Sequence, residues 1–161
     1  QRVIYAGTFS KALFPALRCA WLVVPVKQIA QFRHQASLAP CAVPVLWQNT
    51  LADFLREGHF WRHLKKMRQH YAQRRQWIEQ ALTQQGFQVV PQKGGIQMVI
   101  RMIGDDIAHA RKANAAGLAV QALSYWRIRS SGEGGLLLSF TNIVNEGMAR
   151  QVAQQLRKAL S

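Results

Sequence analysis

Tyr5-Ala6-Gly7-Thr8-Phe9-Ser10-Lys11-Ala12-Leu13-Phe14-Pro15-Ala16-Leu17-Arg18 is the stretch whose reading decides the fold. A short apolar strand over residues 3–6 runs into the polar turn Gly7-Thr8-Phe9-Ser10-Lys11, and a second apolar run over residues 19–24 ends at Pro25. The unit therefore reads as strand, loop, strand. At the end of its first strand a lysine follows small and hydroxyl residues, and Arg18 follows that lysine by seven positions. This combination has a chemical logic: a lysine amine forms an imine with an aldehyde cofactor, hydroxyls and backbone N–H groups hold a phosphate, and an arginine neutralises it bidentately. Taken bare, such strings are common, and a solvated loop lysine is the more frequent meaning.

Working outward, helical periodicity runs over residues 26–37 and again, after a break near Pro40 and Pro44, to about residue 57, where Gly58 stops it. The longest helix begins near His59. Phe60, Leu64, Met67, Tyr71, Ile78 and Leu82 form its apolar stripe, while Arg62, Lys65, Lys66, Arg68 and Arg75 occupy much of the remainder; Gly86 ends it as a left-handed cap. Residues 87–91 and 96–102 read as two strands around the turn Lys93-Gly94-Gly95. Asp105 caps a helix to about residue 116, stopped by Gly117. Residues 118–125 read as strand and loop, Gly134-Gly135 as a turn and residues 136–140 as a strand. An amphipathic helix over residues 146–160 carries Met148, Val152, Leu156 and Leu160. From Gly86 onward this order describes a small, largely antiparallel sheet covered by helices on one face. The two N-terminal strands have no third strand nearby, and an isolated ribbon is marginal in water, so the expectation is a fragment of a longer protein.

Composition narrows the class. With 161 residues and 49% hydrophobic content the chain suits a globular protein with a real core. No apolar run approaches the roughly eighteen residues of a membrane span, and no signal peptide is legible, so no membrane partner is expected and the cytoplasm is the expected compartment. Cys19 and Cys41 lack any Cys-x-x-Cys or Cys/His ligand spacing and read as small core residues. The anomaly is charge: 21 Lys and Arg against 7 Asp and Glu leave a net +14. Aromatic residues are not interleaved with these cations as single-strand binders require, so direct nucleic-acid contact is the lesser expectation, behind a basic patch that meets another part of a larger protein. His59, His63 and His70 share one helix without an accompanying carboxylate or cysteine, so no metal site is expected. No Gly-x-Ser-x-Gly elbow supports a hydrolase.

The string from Tyr5 to Arg18 resembles, nearly residue for residue, the cofactor-lysine segment of fold-type I aminotransferase-like proteins, and especially the branch in MocR-type transcription regulators of the GntR family. The resemblance continues in Gly58-His59-Phe60-Trp61-Arg62-His63-Leu64-Lys65-Lys66-Met67-Arg68, in Gly94-Gly95-Ile96 and in Ala115-Ala116-Gly117-Leu118-Ala119-Val120, in the right order over essentially the whole chain. It implies an α/β fold, the C-terminal portion of the pyridoxal-phosphate (PLP) aminotransferase fold. Residues 1–57 would be a remnant of the large PLP domain, 58–85 a long interdomain helix and 86–161 a small α+β domain. It also implies Lys11 as the Schiff-base lysine, Thr8 and Arg18 as phosphate ligands, and Ser10 as a neighbouring cofactor contact.

Two departures qualify the resemblance. Aminotransferases of this group carry an arginine as Arg-Leu-x-Phe in the last apolar strand to clamp the substrate's α-carboxylate, whereas here Leu137 stands in Leu136-Leu137-Leu138-Ser139-Phe140. Arg127 or Arg129 could substitute only if their loop folded inward. Gln97 stands where such regulators often have histidine. The aspartate for the pyridine nitrogen and the ring-stacking aromatic come from upstream of the lysine in this fold; Asp53, Asp105 and Asp106 lie downstream and read as capping or surface charge. The expectation is therefore the effector-sensing portion of a MocR-type regulator, inactive by itself. PLP would be bound in the full-length parent and not retained by this segment. The expected partners are the upstream half of the PLP domain, a winged-helix DNA-binding domain, an amino-acid-like or amine effector, and a second subunit in a homodimer. The rival is a fragment of a PLP-dependent amino-acid aminotransferase; a free-standing basic module leaves the lysine motif unexplained.

Overall fold

A computed structural model describes residues 3–38, 43–128 and 132–161. Contacts divide the chain into two compact units, Gln1–Lys66 and Met67–Ser161. Cys41 and Arg129 lie outside the described residues.

In the first unit, strand β1 (Tyr5–Thr8) pairs antiparallel with β2 (Ala20–Val23), Tyr5 opposite Val23 and Thr8 opposite Ala20. Gly7 lies opposite Trp21, whose indole occupies the space a Cβ on residue 7 would need, only 2.3 Å away. Past the strands the ladder continues as the Phe9 N–H donates to the Cys19 carbonyl at 3.1 Å. The intervening loop contains a 3-10 turn, Pro15–Leu17, and closes at Arg18 with φ 48°, a left-handed backbone. Phe9 and Cys19 turn inward against Leu51 and Phe60 to form this unit's core. The helical stretch after Pro25 opens as a 3-10 turn, Val26–Gln28, and continues as α1 (Ile29–Leu38). Helix α2 (Val45–Arg56) follows Pro44, and Gly58, at φ 75°, separates it from α3 (His59–Gln84).

The second unit is built on an antiparallel sheet of order β3-β5-β4, with β3 Gln97–Met102, β4 Val120–Ala122 and β5 Gly134–Ser139. Met98, Ile100, Val120, Ala122, Leu136 and Leu138 point to one face. They pack with Ile78 and Leu82 of α3, Ala110 and Ala113 of α4 (Asp106–Ala115), and Ala149, Ala153 and Leu156 of α5 (Glu146–Leu160). The alanines let these helices sit close to the sheet and to the rest of the core. Helix α3 ends as its composition predicts: the Phe87 N–H donates to the Leu82 carbonyl at 3.0 Å and the Gly86 N–H to Thr83 at 2.9 Å, the paired bonds of a Schellman cap.

Two expectations need correction. Residues 87–91 do not form a strand; they contribute one bridge, Val89 opposite Ile100, because Pro91 ends the pairing that Val90 begins. Gly134 and Gly135 are not a turn but the first residues of the central strand, opposite Met102 and Arg101. A Cβ at Gly135 would lie 2.9 Å from the Ile100 carbonyl oxygen, and one at Gly134 3.0 Å from that of Met102. Glycine is required here by close backbone approach.

Candidate functional site

Thr8 ends β1, and its hydroxyl organises the turn that follows. Its Oγ1 accepts from the Ser10 backbone N–H at 3.1 Å and lies 3.0 Å from Ser10 Oγ and 3.4 Å from the Cys19 carbonyl. A hydroxyl has one proton to donate, so the shorter Ser10 contact is the better bond. Lys11 follows directly and is exposed; Arg18 is exposed at the far end of the same loop. Among the described residues neither the Lys11 ammonium nor the Arg18 guanidinium donates to another protein group. The structure thus links Thr8 and Ser10 directly and places Lys11 and Arg18 on the loop they begin.

What holds that loop is the packing beneath it. Phe9 meets Phe60 edge-to-face at 5.7 Å, while Leu13 and Leu17 pack on the same cluster. His63, one turn further along α3, places Nε2 2.9 Å from the carbonyl oxygen of Ala12, the residue after Lys11. Sequence reasoning weighed His63 only as a metal ligand; it is a brace for the lysine loop, a role that a contact between residues 51 positions apart makes invisible in the chain. His59 stacks on Phe54 and sits 3.0 Å from Glu57 Oε2. Among the described residues no group of three His, Cys, Asp or Glu side chains could hold a metal ion.

The local charge is one-sided. The first acidic residue of the chain is Asp53, which follows Arg2, Lys11, Arg18, Lys27 and Arg33. Two hydroxyls and two uncommitted cations on one loop, with no carboxylate in the hairpin, make a donor set that fits a phosphate and an aldehyde.

The second unit presents a different surface. On the sheet face opposite the core, Leu137 lies between Val99 of β3 and Gln121 of β4. It forms part of a concavity of about 750 Å³ with Gln97, Gln121, Tyr125, Trp126 and Ser139. No cation among the described residues lines it. Arg127 does not fold inward; its guanidinium donates to the Glu133 carbonyl.

Asp106 corrects a further expectation. Asp105 is the cap of α4, accepting from the N–H groups of Ile107 and Ala108, and Asp53 is an exposed partner of Arg56. Asp106, by contrast, is 2% exposed, and its Oδ2 accepts from the Gly135 N–H at 2.9 Å and the Ser124 N–H at 3.1 Å. Burial alone would raise its pKa, but the bonds from Gly135 and Ser124, with the Arg127 charge, together hold it below 3.8.

A two-stranded hairpin with Lys11 on its loop is followed in sequence by a small α+β unit, and the sequence comparisons assign that chain to a family. The chain belongs to the aminotransferase class I and II family, which its residues 1–152 match. It is 34% identical to the probable rhizopine catabolism regulatory protein MocR of Rhizobium meliloti over 98% of this chain and 33% of that protein. It is 26% identical to the HTH-type pyridoxine biosynthesis transcriptional regulator PdxR of Corynebacterium glutamicum over 100% of this chain and 36% of that protein. The α-aminoadipate aminotransferase LysN of Thermus thermophilus, solved with N-(5'-phosphopyridoxyl)-L-leucine, matches with a TM-score of 0.82 at 26% identity, over 98% of this chain and 41% of that one. The chain therefore spans about a third of the length of these curated relatives. Its architecture is the C-terminal portion of the fold-type I aminotransferase, a fold that carries PLP.

Proposed function

We propose that the chain is the C-terminal part of the PLP-binding, aminotransferase-like sensing domain of a MocR-type transcription regulator, and that Lys11 is its cofactor-attachment residue. The observation that carries the reading is the Thr8, Ser10, Lys11 and Arg18 loop, braced from below by Phe60 and His63. Thr8, Ser10 and Arg18 would hold the phosphate: the Thr8 proton would turn from Ser10 to a phosphate oxygen, the Ser10 hydroxyl would donate to another, and the guanidinium would neutralise its charge. When bound, PLP supplies an aldehyde and an electron-withdrawing ring. The Lys11 amine is the nucleophile of the loop, and its proton must be lost before it attacks. In the parent, an upstream winged helix would bind DNA, an amine or amino-acid-like effector would bind the sensing domain, and the whole would act in the cytoplasm as a homodimer.

The rival reading is part of a true aminotransferase, which whole-chain similarity to LysN favours. Against it stand the two regulators above and Leu137, which offers a substrate carboxylate nothing. The experiment is borohydride reduction of the PLP-loaded full-length protein with peptide mapping. A cofactor adduct on Lys11, with Lys11→Ala losing both the adduct and the visible absorbance band, is the expected result. An adduct on another lysine refutes the assignment. Amino-acid turnover at ordinary aminotransferase rates would replace the regulator with the enzyme.

A further inference from the structure

Lys11 stands on a single turn of helix that cannot continue. The Leu13 N–H donates to the Phe9 carbonyl at 2.8 Å and wraps Ser10, Lys11 and Ala12 into one turn. Phe14 then leaves the helical conformation, with φ −153° and ψ 149°, as a residue before proline prefers, and Pro15 has no N–H to extend the pattern. Among the described residues no backbone N–H reaches the Ala12 carbonyl, which needs a donor from elsewhere.

Helix α3 supplies it. His63 Nε2 lies 2.9 Å from the Ala12 carbonyl oxygen, and because a carbonyl only accepts, Nε2 carries the proton of this bond. His63 follows Phe60 by one turn on the same face of α3, and the Phe60 ring packs edge-to-face on Phe9. Both ends of the Lys11 turn are therefore held by one helix, Phe9 by packing and Ala12 by the imidazole. Thr8 and Ser10 are tied separately, through the bond from the Ser10 N–H to the Thr8 hydroxyl, and do not depend on His63.

We propose that His63 is a positioning residue for cofactor attachment at Lys11, an inference that rests on the attachment reading above. Attachment joins Lys11 Nζ to the aldehyde carbon of PLP while the aldehyde oxygen leaves as water, so the deprotonated amine must reach that carbon with the phosphate already held. The His63 bond fixes the Ala12 side of the turn and with it the backbone from which Lys11 reaches. Its loss leaves the Thr8 and Ser10 contacts in place and lowers the fraction of time in which Lys11 is aligned.

The test titrates the full-length protein, freed of cofactor, with PLP and with 4'-deoxypyridoxine 5'-phosphate, which has the same ring and phosphate but no aldehyde. His63→Gln keeps an N–H at about the reach of Nε2 and should bind both compounds as the wild type does. His63→Asn carries the same amide one methylene shorter. It should bind PLP about five- to tenfold more weakly, and the aldehyde-free analogue within about twofold of wild type, which also reports that the fold is intact. Equal weakening of the two compounds in His63→Asn would make His63 a general support of the fold and overturns the proposal. So does unchanged PLP affinity in that variant, or a selective loss of PLP in His63→Gln. Lys11→Ala separates the two failures, because it should bring PLP down to the affinity of the analogue. If it does not, the attachment reading fails; if it does while His63→Asn leaves the two affinities in their wild-type ratio, the error is confined to His63.

Discussion

Asp106 gives the second unit its clearest acid-sensitive element. Its carboxylate joins three places far apart in sequence, the first turn of α4, the Ser124 turn and the start of β5, through N–H groups that would otherwise be buried without acceptors. Because its folded pKa lies below 3.8, its contribution to stability is present above that ordinary value and is lost as pH falls through the folded pKa. Asp106→Asn keeps a carbonyl oxygen that can accept from the two N–H groups but removes the charge, and should destabilise the second unit by about 1 kcal/mol at neutral pH. Denaturant melts of both proteins across acidic pH check this: the gap should narrow as pH falls. A constant gap would mean that charge is not what the site uses. The residue was hard to read in the chain because Asp105-Asp106 looks like a cap followed by a first-turn acid, which is right for Asp105 and wrong for Asp106. The proposed role of Lys11 rests instead on local chemistry, with hydroxyls and an arginine within one loop. The contact of His63 could not be read in the chain, since its partner is the Ala12 carbonyl.

Among elements, β5 shows where local reasoning is outvoted. A Gly-Gly pair between a polar stretch and an apolar run reads as a turn, whereas the α-helices and their caps, which depend on neighbours in sequence, match their sequence reading to within a few residues. The pairing of β5 with β3 joins residues distant in sequence: Gly135 faces Arg101, and its N–H reaches Asp106, 29 residues away. The two glycines serve tight approach of β5 to β3 and leave room for that carboxylate. Gly135→Ala should therefore cost about 1–3 kcal/mol, since its methyl group would meet the Ile100 carbonyl and Val99 Cγ1 at 2.9 and 3.1 Å. Gly94→Ala, where a Cβ meets nothing within 4 Å, is the matched control and should change stability little. Equal melting temperatures for these two variants would contradict the close packing assigned to β5.

At the scale of the whole molecule the two units are unequally built. The second has a continuous core that draws on its three strands and on α3, α4 and α5. The first buries Phe9, Cys19, Leu51 and Phe60, while Tyr5, Leu22 and Val23 of the hairpin remain more than half exposed. With so small a core beneath it, and chiefly the Phe60 and His63 contacts bracing its loop, the ribbon is expected to open at lower free-energy cost than the second unit. A ligand that requires the closed loop binds more weakly by the fraction of time the loop is closed. The chain also spans only about a third of the length of its regulator relatives, so on the proposed reading the lysine, the hydroxyls and the arginine are only a share of the cofactor site. The expectation is that the 161-residue chain takes up PLP weakly and reversibly, whereas the full-length protein holds it stoichiometrically. Titration of both with PLP, with borohydride fixation at each point to count adducts on Lys11, measures the difference. Stoichiometric uptake by the chain alone, with affinity on the order of micromolar, would show that its own loop completes the site and that the hairpin is firmer than its core implies.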